Sequence, residues 1–152
     1  MVDDVDLRLA DADGLDEDVV LAGGVHQERR LKGRLRETAQ RAPAATLVRR
    51  GGDRLLFDCG EGTQRQLLRS DVGLLELRVV FLTHYHADHY LGLPGMRKTY
   101  SLRGRELPLT IYGPRGLRDL VSALKRVFGR LTYPLELIEL EPGAALDRAG
   151  YR

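Results

Sequence analysis

The sequence predicts an α/β protein in which strands and helices form a layered sandwich. Short apolar runs typical of strands recur from residue 44 onwards, and an amphipathic helical stripe lies between two of them. Apolar residues make up 43% of the 152 residues, which is enough to bury a core. A chain of this length corresponds to one domain or part of one.

Composition excludes several classes of protein. No segment approaches the roughly 20 continuous apolar residues of a membrane span, so no membrane contact is expected. The acidic amino terminus lacks the apolar region of a secretory signal. The single cysteine, Cys59, rules out an internal disulfide and is expected to be a small buried residue. We therefore expect a cytoplasmic protein.

The charges are unevenly distributed although the net charge is only +2. Residues 1–20 are strongly acidic, whereas residues 28–50 are rich in arginine. Arginine suits bidentate contacts to phosphate, so the basic segment could bind RNA. A solvated basic face explains the same pattern without any ligand.

Residues 1–40 are predicted to be a separate, poorly ordered segment, because they contain no alternating strand pattern. Residues 23–43 are compatible with a frayed basic helix that ends before Pro43. The folded part is predicted to comprise residues 41–152.

The first predicted elements of the folded part are a hairpin and a helix. Residues 44–50 and 54–58 read as two strands joined by a tight turn at residues 51–53. Residues 61–70 read as a short helix. Gly60, just before this segment, and Gly62, at its start, either permit close backbone approach or form a plain turn.

The later elements alternate between strand and helix. The apolar run 78–82 is typical of a buried strand and leads into a polar loop at 83–96. A helix at 96–102, with Pro94 near its start, precedes a strand at 107–113. Pro114 fits the first turn of the next helix. Residues 135–141 alternate as a half-exposed strand does. The core-facing stripe of the helix after Pro114 consists of Leu117, Leu120, Val121, Leu124 and Phe128.

A cluster of potential metal ligands follows the strand at 78–82. His84, His86, Asp88 and His89 fall within six residues. Residues i and i+2 at a strand end project to one side, so His84 and His86 could face one metal ion while Asp88 and His89 reach a second. Imidazole and carboxylate suit zinc. Two such ions can activate water and stabilise the leaving oxygen of a phosphodiester. Surface histidines without a ligand role are the alternative, which this clustering disfavours.

These motifs resemble a known family. The segment THYHADH (83–89) resembles the metal-binding signature of the metallo-β-lactamase superfamily. LLFDCGEGTQRQLL (55–68) and YLGLPGM (90–96) resemble the ribonuclease Z family in particular, and the resemblance spans about residues 41–143. It implies a metallo-β-lactamase-type αββα sandwich, present as its amino-terminal half. It also implies a zinc-dependent endoribonuclease that processes the 3′ end of precursor tRNA, acting as a homodimer.

The resemblance also implies roles for single residues. His84 and His86 would hold the first of two zinc ions, and Asp88 and His89 the second. Asp88 would in addition accept a proton from the attacking water. Asp58 resembles an aspartate that accepts a hydrogen bond from a liganding imidazole, although a cap on the helix at 61–70 is an equal alternative.

Further implied positions are less specific. Arg41 and Pro43 lie where the family has a substrate-contacting loop. Gly92, Pro94 and Gly95 would shape the chain behind the site.

The ligand set within the chain is incomplete. A catalytic zinc takes about three protein ligands and a water, yet no histidine follows His89, and His26 is the only other one. The resemblance implies that the remaining ligands lie beyond Arg152. We therefore expect this chain alone to bind zinc weakly, to lack nuclease activity and to expose an apolar sheet face. The alternatives are another hydrolase of the same fold (a phosphodiesterase or an arylsulfatase-like enzyme) and a non-catalytic RNA-binding fragment.

Overall fold

The structure, a computed structural model, describes residues 18–21, 44–50, 52–70 and 72–147; for 18–21, 50, 127 and 128 it describes the backbone only. The described strands are β1 (Asp18–Leu21), β2 (Thr46–Arg50), β3 (Asp53–Phe57), β4 (Val79–Phe81), β5 (Leu109–Gly113) and β6 (Leu135–Glu139). The described helices are α1 (Thr63–Arg69), α2 (Ala87–Tyr90), α3 (Gly92–Leu102) and α4 (Leu117–Phe128). No helix in these ranges is both long and apolar enough to cross a membrane.

The six strands form one mixed sheet in the order β1-β2-β3-β4-β5-β6. The first three strands are antiparallel, whereas β3, β4, β5 and β6 run parallel to one another. Phe57 and Phe81, the last residues of β3 and β4, are direct partners. The chain segments that follow these two strands therefore leave the sheet side by side at its carboxyl edge, where open α/β sheets commonly bind ligands.

The predicted hairpin, the helix at 61–70 and the strands at 78–82, 107–113 and 135–141 are confirmed, with ends shifted by at most two residues. Strand β1 is a correction, because no strand was expected in residues 1–40. Its four residues are too few to show an alternating pattern, and their extended conformation comes from antiparallel pairing with β2, in the register Asp18↔Arg49 to Leu21↔Thr46. The predicted basic helix, with Arg41, Pro43 and His26, lies outside the described residues.

The polar loop expected at 83–96 is also corrected. It contains α2 and the first turns of α3, which begins at Gly92 and not at Met96. Pro94 lies in the first turn of α3, where proline is tolerated. Glycine has a low helix propensity, so the pattern gave no reason to place the helix start at Gly92.

Helix α4 begins at Leu117, three residues later than the prediction from Pro114. Gly116 precedes it with a φ of 95°, and the Glu139 carboxylate accepts hydrogen bonds from the backbone N–H groups of Gly116 (3.0 Å) and Arg118 (3.2 Å). A side chain from β6 thus satisfies the free donors at this helix start. The predicted stripe buries Leu117 and Val121.

The main core lies between the sheet and the helices. Inward residues of the central strands, such as Leu56, Val80 and Ile111, pack there with Tyr100 and Leu117, all fully buried. This layer packs α1 and α3 against the sheet, through Leu67 and Leu93 among others.

The opposite face of the sheet was expected to be uncovered, and its centre differs from that expectation. Val48 is 2% exposed and Phe81 is 5% exposed, and Leu146 packs against this cluster. Phe81 stacks between Phe57 and Tyr112, with ring centroids 4.8 Å apart in both pairs. These rings of three neighbouring strands therefore bury part of one another's surface on this face.

Candidate metal centre

The structure brings the predicted histidines together at the carboxyl edge of the sheet. The ring of His84 lies 4.7 Å from that of His86 and 3.9 Å from that of His89, measured between centroids. His86 directly precedes α2, and Asp88 and His89 lie within this helix. Asp88 Oδ2 is 3.5 Å from His89 Nε2, and the Asp88 side chain is 48% exposed. The four side chains thus form one cluster open to solvent.

Asp58 contacts this cluster from the end of β3. Its Oδ2 lies 2.8 Å from His89 Nδ1, and the residue is only 7% exposed. It adopts a left-handed φ of 59°, which is uncommon for a residue with a side chain and clusters at functional sites. The alternative role as a helix cap is wrong, because α1 follows Gly62 and has no side-chain cap.

Thr83 links Asp58 to a second histidine. Its backbone N–H donates to Asp58 Oδ1 at 2.9 Å, and its hydroxyl lies 2.9 Å from Asp58 Oδ2 and 2.9 Å from His84 Nδ1. An ionised carboxylate only accepts hydrogen bonds, so the hydroxyl donates to Asp58 and accepts from the Nδ1–H of His84. The sequence suggested no role for Thr83.

This network sets the tautomers of two imidazoles. His84 and His89 both carry a proton on Nδ1, because each of these nitrogens faces an acceptor. In the neutral ring, Nε2 of each histidine then carries the free lone pair, which is the form that binds a metal ion. One buried carboxylate thus orients one histidine directly and the other through a hydroxyl group.

The loop after β3 and the helix α2 are also joined through their backbones. Cys59 N–H donates to His89 O at 2.7 Å, and Gly92 N–H donates to Cys59 O at 2.8 Å. A Cβ atom on Gly92 would lie 2.1 Å from Gly60 O, so only glycine fits there. We call the two backbone hydrogen bonds that join Cys59 to His89 and to Gly92 the Cys59 bridge. Gly92, which was expected to shape the chain behind the site, is therefore a point of close backbone approach.

Cys59 itself is fully buried, as predicted. Burial raises the pKa of its thiol from the ordinary 9.0 to about 12; a hydrogen bond with Thr63 lowers the pKa, and the charge of Asp58 raises it further. The thiol therefore stays protonated at neutral pH and takes no part in the cluster.

Tyr85 lies between two of the clustered histidines in sequence and contacts the connection between β5 and α4. The Tyr85 hydroxyl donates a hydrogen bond to Pro114 O. A Cβ atom added to Gly113 would lie 3.1 Å from the Tyr85 hydroxyl oxygen. Burial, followed by the charge of Glu139, raises the pKa of this phenol. Tyr85 thus fastens the histidine segment to the connection between β5 and α4, a role that the sequence pattern did not suggest.

The donor chemistry of the cluster fits zinc, since three imidazoles and a carboxylate are typical zinc ligands. Within the described ranges, no group of three or more His, Cys, Asp or Glu side chains is arranged to hold one ion. Each ion would therefore need donors in addition to this cluster. Arg41 and Pro43 lie outside the described residues, so the structure does not test their role.

Comparison with known proteins gives consistent matches. Residues 39–146 match the metallo-beta-lactamase superfamily. The chain is 44% identical over 115 residues to ribonuclease Z of Methanosarcina acetivorans. It is 47% identical over 93 residues to ribonuclease Z of Listeria innocua. Among solved structures, human tRNase Z, short form, matches with a TM-score of 0.67 and 35% identity over 84% of this chain. The predicted resemblance and fold class are thereby confirmed.

The matches cover only part of each relative. The aligned region amounts to 75% of this chain but 38% of the Methanosarcina protein, and to 60% of this chain but 30% of the Listeria protein. It amounts to 47% of the human chain.

Proposed function

This chain belongs to the metallo-beta-lactamase superfamily, and on that basis we propose that it forms part of a zinc-dependent endoribonuclease of the ribonuclease Z type. The substrate is precursor tRNA, which is cut at its 3′ end after the discriminator base. The observation that carries the proposal is the histidine cluster oriented by Asp58, in a chain 44% identical to a ribonuclease Z.

In this proposal the cluster contributes ligands to two zinc ions. His84 and His86 would hold one ion, and Asp88 and His89 would hold the other. When bound, such a pair of ions supplies Lewis-acid activation of water and neutralises charge on the phosphodiester. Asp58 and Thr83 keep the imidazoles in the binding tautomer.

Asp88 is proposed to accept the proton from the attacking water. Its side chain is 48% exposed, so water can reach the carboxylate, which also lies beside His89. Arg41 and Pro43 remain proposed substrate contacts.

The 152-residue chain by itself is proposed to bind zinc weakly and to leave precursor tRNA intact. The reason is the number of ligands, because four side chains serve two ions that each take about three. A homodimer is a further proposal that follows from the resemblance, and a cytoplasmic location is a proposal that follows from the composition of the sequence.

The proposal is tested with a graft. Residues 39–146 replace the matching segment of the Methanosarcina acetivorans ribonuclease Z, and the product is incubated with precursor tRNA and zinc. We expect cleavage after the discriminator base, abolished by His86→Ala and retained in Arg103→Gln, which changes an exposed residue outside the cluster.

Two outcomes would contradict parts of the proposal. Hydrolysis of a simple phosphodiester without cleavage of precursor tRNA would favour the phosphodiesterase alternative. Undiminished cleavage by the His86→Ala graft would remove the metal assignment.

A further inference from the structure

Away from the histidine cluster, a cavity lies among α3, α4 and the start of β6. Its volume is about 410 Å³, which is within the range of small-molecule sites. It shares no lining residue with the histidine cluster. Among the described residues that line it, none is acidic and four are cationic: Arg97, Arg118, Lys125 and Arg130.

Arg97 is the unusual member of this set. It is only 7% exposed, and its Nε has no hydrogen-bond partner within the part of the chain that the structure describes. Burial lowers the pKa of its guanidinium, whereas the phenol of Tyr133 raises that pKa through its charge and through a side-chain hydrogen bond. No carboxylate of the described residues pairs with it. A buried charge without a counterion is unfavourable, so this arrangement calls for an anion.

The surroundings of Arg97 are held in place. Tyr133 Oη donates to Arg97 O at 3.1 Å, and Arg118 Nη2 donates to Leu137 O at 2.8 Å. Lys125 and Arg130 are exposed at the rim, where they can approach a ligand. The cavity is therefore lined by cationic side chains both on its buried side and at its solvent-exposed rim.

We propose that this cavity binds a phosphate group. A guanidinium offers a planar pair of donors that matches phosphate oxygens, and lysine adds a point charge. The phosphate comes either from a small phosphorylated compound or from an RNA backbone. The site does not depend on the histidine cluster, so it stands or falls separately from the nuclease proposal.

The test measures binding of inorganic phosphate to the 152-residue chain by calorimetry and ³¹P NMR at constant ionic strength. We expect Arg97→Met, Lys125→Gln and Arg130→Gln each to weaken binding by about tenfold, as loss of a charged hydrogen bond does. Arg103→Gln, in the residue that follows α3 and outside the cavity, is the matched control and should bind as the parent does.

A second readout separates a ligand site from a structural arginine. Without phosphate, Arg97→Met should melt at the same temperature as the parent or higher, because it removes an unpaired buried charge. Added phosphate should raise the melting temperature of the parent and not that of the variant. The exposed variants Lys125→Gln and Arg130→Gln keep the test valid if Arg97→Met does not fold.

The source of the phosphate is decided with a short single-stranded RNA. Weakened RNA binding in the same variants assigns the cavity to an RNA backbone, whereas unchanged RNA binding assigns it to a small phosphorylated compound. The proposal is overturned if the parent binds no phosphate, or if Lys125→Gln and Arg130→Gln bind it as the parent does.

Discussion

Asp58 and His89 are 31 residues apart in the chain, yet Asp58 Oδ2 lies 2.8 Å from His89 Nδ1. The contact exists because the parallel strands β3 and β4 end side by side, with Phe57 opposite Phe81. It defines which nitrogen of His89 is free, and so connects the topology of the sheet to the chemistry of the cluster.

Asp58→Asn should weaken zinc binding by about 10–100-fold, the usual effect of removing the hydrogen-bond partner of a liganding histidine. The amide cannot serve as a charged acceptor for both His89 and Thr83. Affinity is measured by competition with a chromophoric chelator. Glu61→Gln, an exposed change three residues away, is the control and should leave zinc affinity unchanged.

Thr83→Val should weaken zinc binding by about tenfold, whereas Thr83→Ser should not, because serine keeps the hydroxyl between Asp58 and His84. The ¹⁵N shifts of His84 should show loss of the Nδ1–H tautomer in the valine variant without zinc. Equal behaviour of the two variants would mean that the hydroxyl does not orient His84.

Gly92→Ala should lower the free energy of unfolding by about 3 kcal/mol or more, since backbone atoms cannot move away from the added Cβ. That atom would lie 2.1 Å from Gly60 O. Gly95→Ala, in the same helix, meets no atom closer than 4.0 Å and should stabilise by about 0.5–1 kcal/mol. Urea titration of both variants measures the difference, and equal values would contradict the close approach.

Cys59 should make stability depend on pH in the alkaline range. Its pKa is 9.0 ordinarily and about 12 in the folded protein, mainly through burial, so above pH 9 the unfolded chain loses a proton that the folded chain keeps. Stability should therefore fall as pH rises from 9 towards 12, approaching about 1.4 kcal/mol per pH unit.

Cys59→Ala should reduce this dependence most clearly between about pH 8.5 and 9.5, where the unfolded thiol ionises ahead of most of the unfolded tyrosine. The slope that remains at higher pH is expected from the buried phenols of Tyr85, Tyr100 and Tyr133, whose pKa values burial also raises. Urea titrations at several pH values provide the comparison. An unchanged slope in the variant would assign the pH dependence to other groups.

The sequence predicted those features that depend on the pattern of residues within a short segment of the chain. The continuous apolar run around Val80 indicated a buried strand, and the spacing of His84, His86 and His89 indicated a shared site. Both follow from periodicity within a few residues.

What the sequence did not reveal depends on distant partners. β1 is extended because it pairs with β2, and α4 starts at Leu117 because Glu139 caps it from another strand. The role of Thr83 requires Asp58, 25 residues earlier in the chain. Such contacts become visible only when the register between strands is known.

The Cys59 bridge fixes the number of residues between His89 in α2 and Gly92 at the start of α3. Its two hydrogen bonds join Cys59 to His89 and to Gly92. An extra residue between His89 and Gly92 would therefore turn α3 by about 100° relative to the loop that follows β3. Relatives that retain this contact should therefore keep that interval constant, while length variation collects in the connection around Gly104, far from the histidines along the chain.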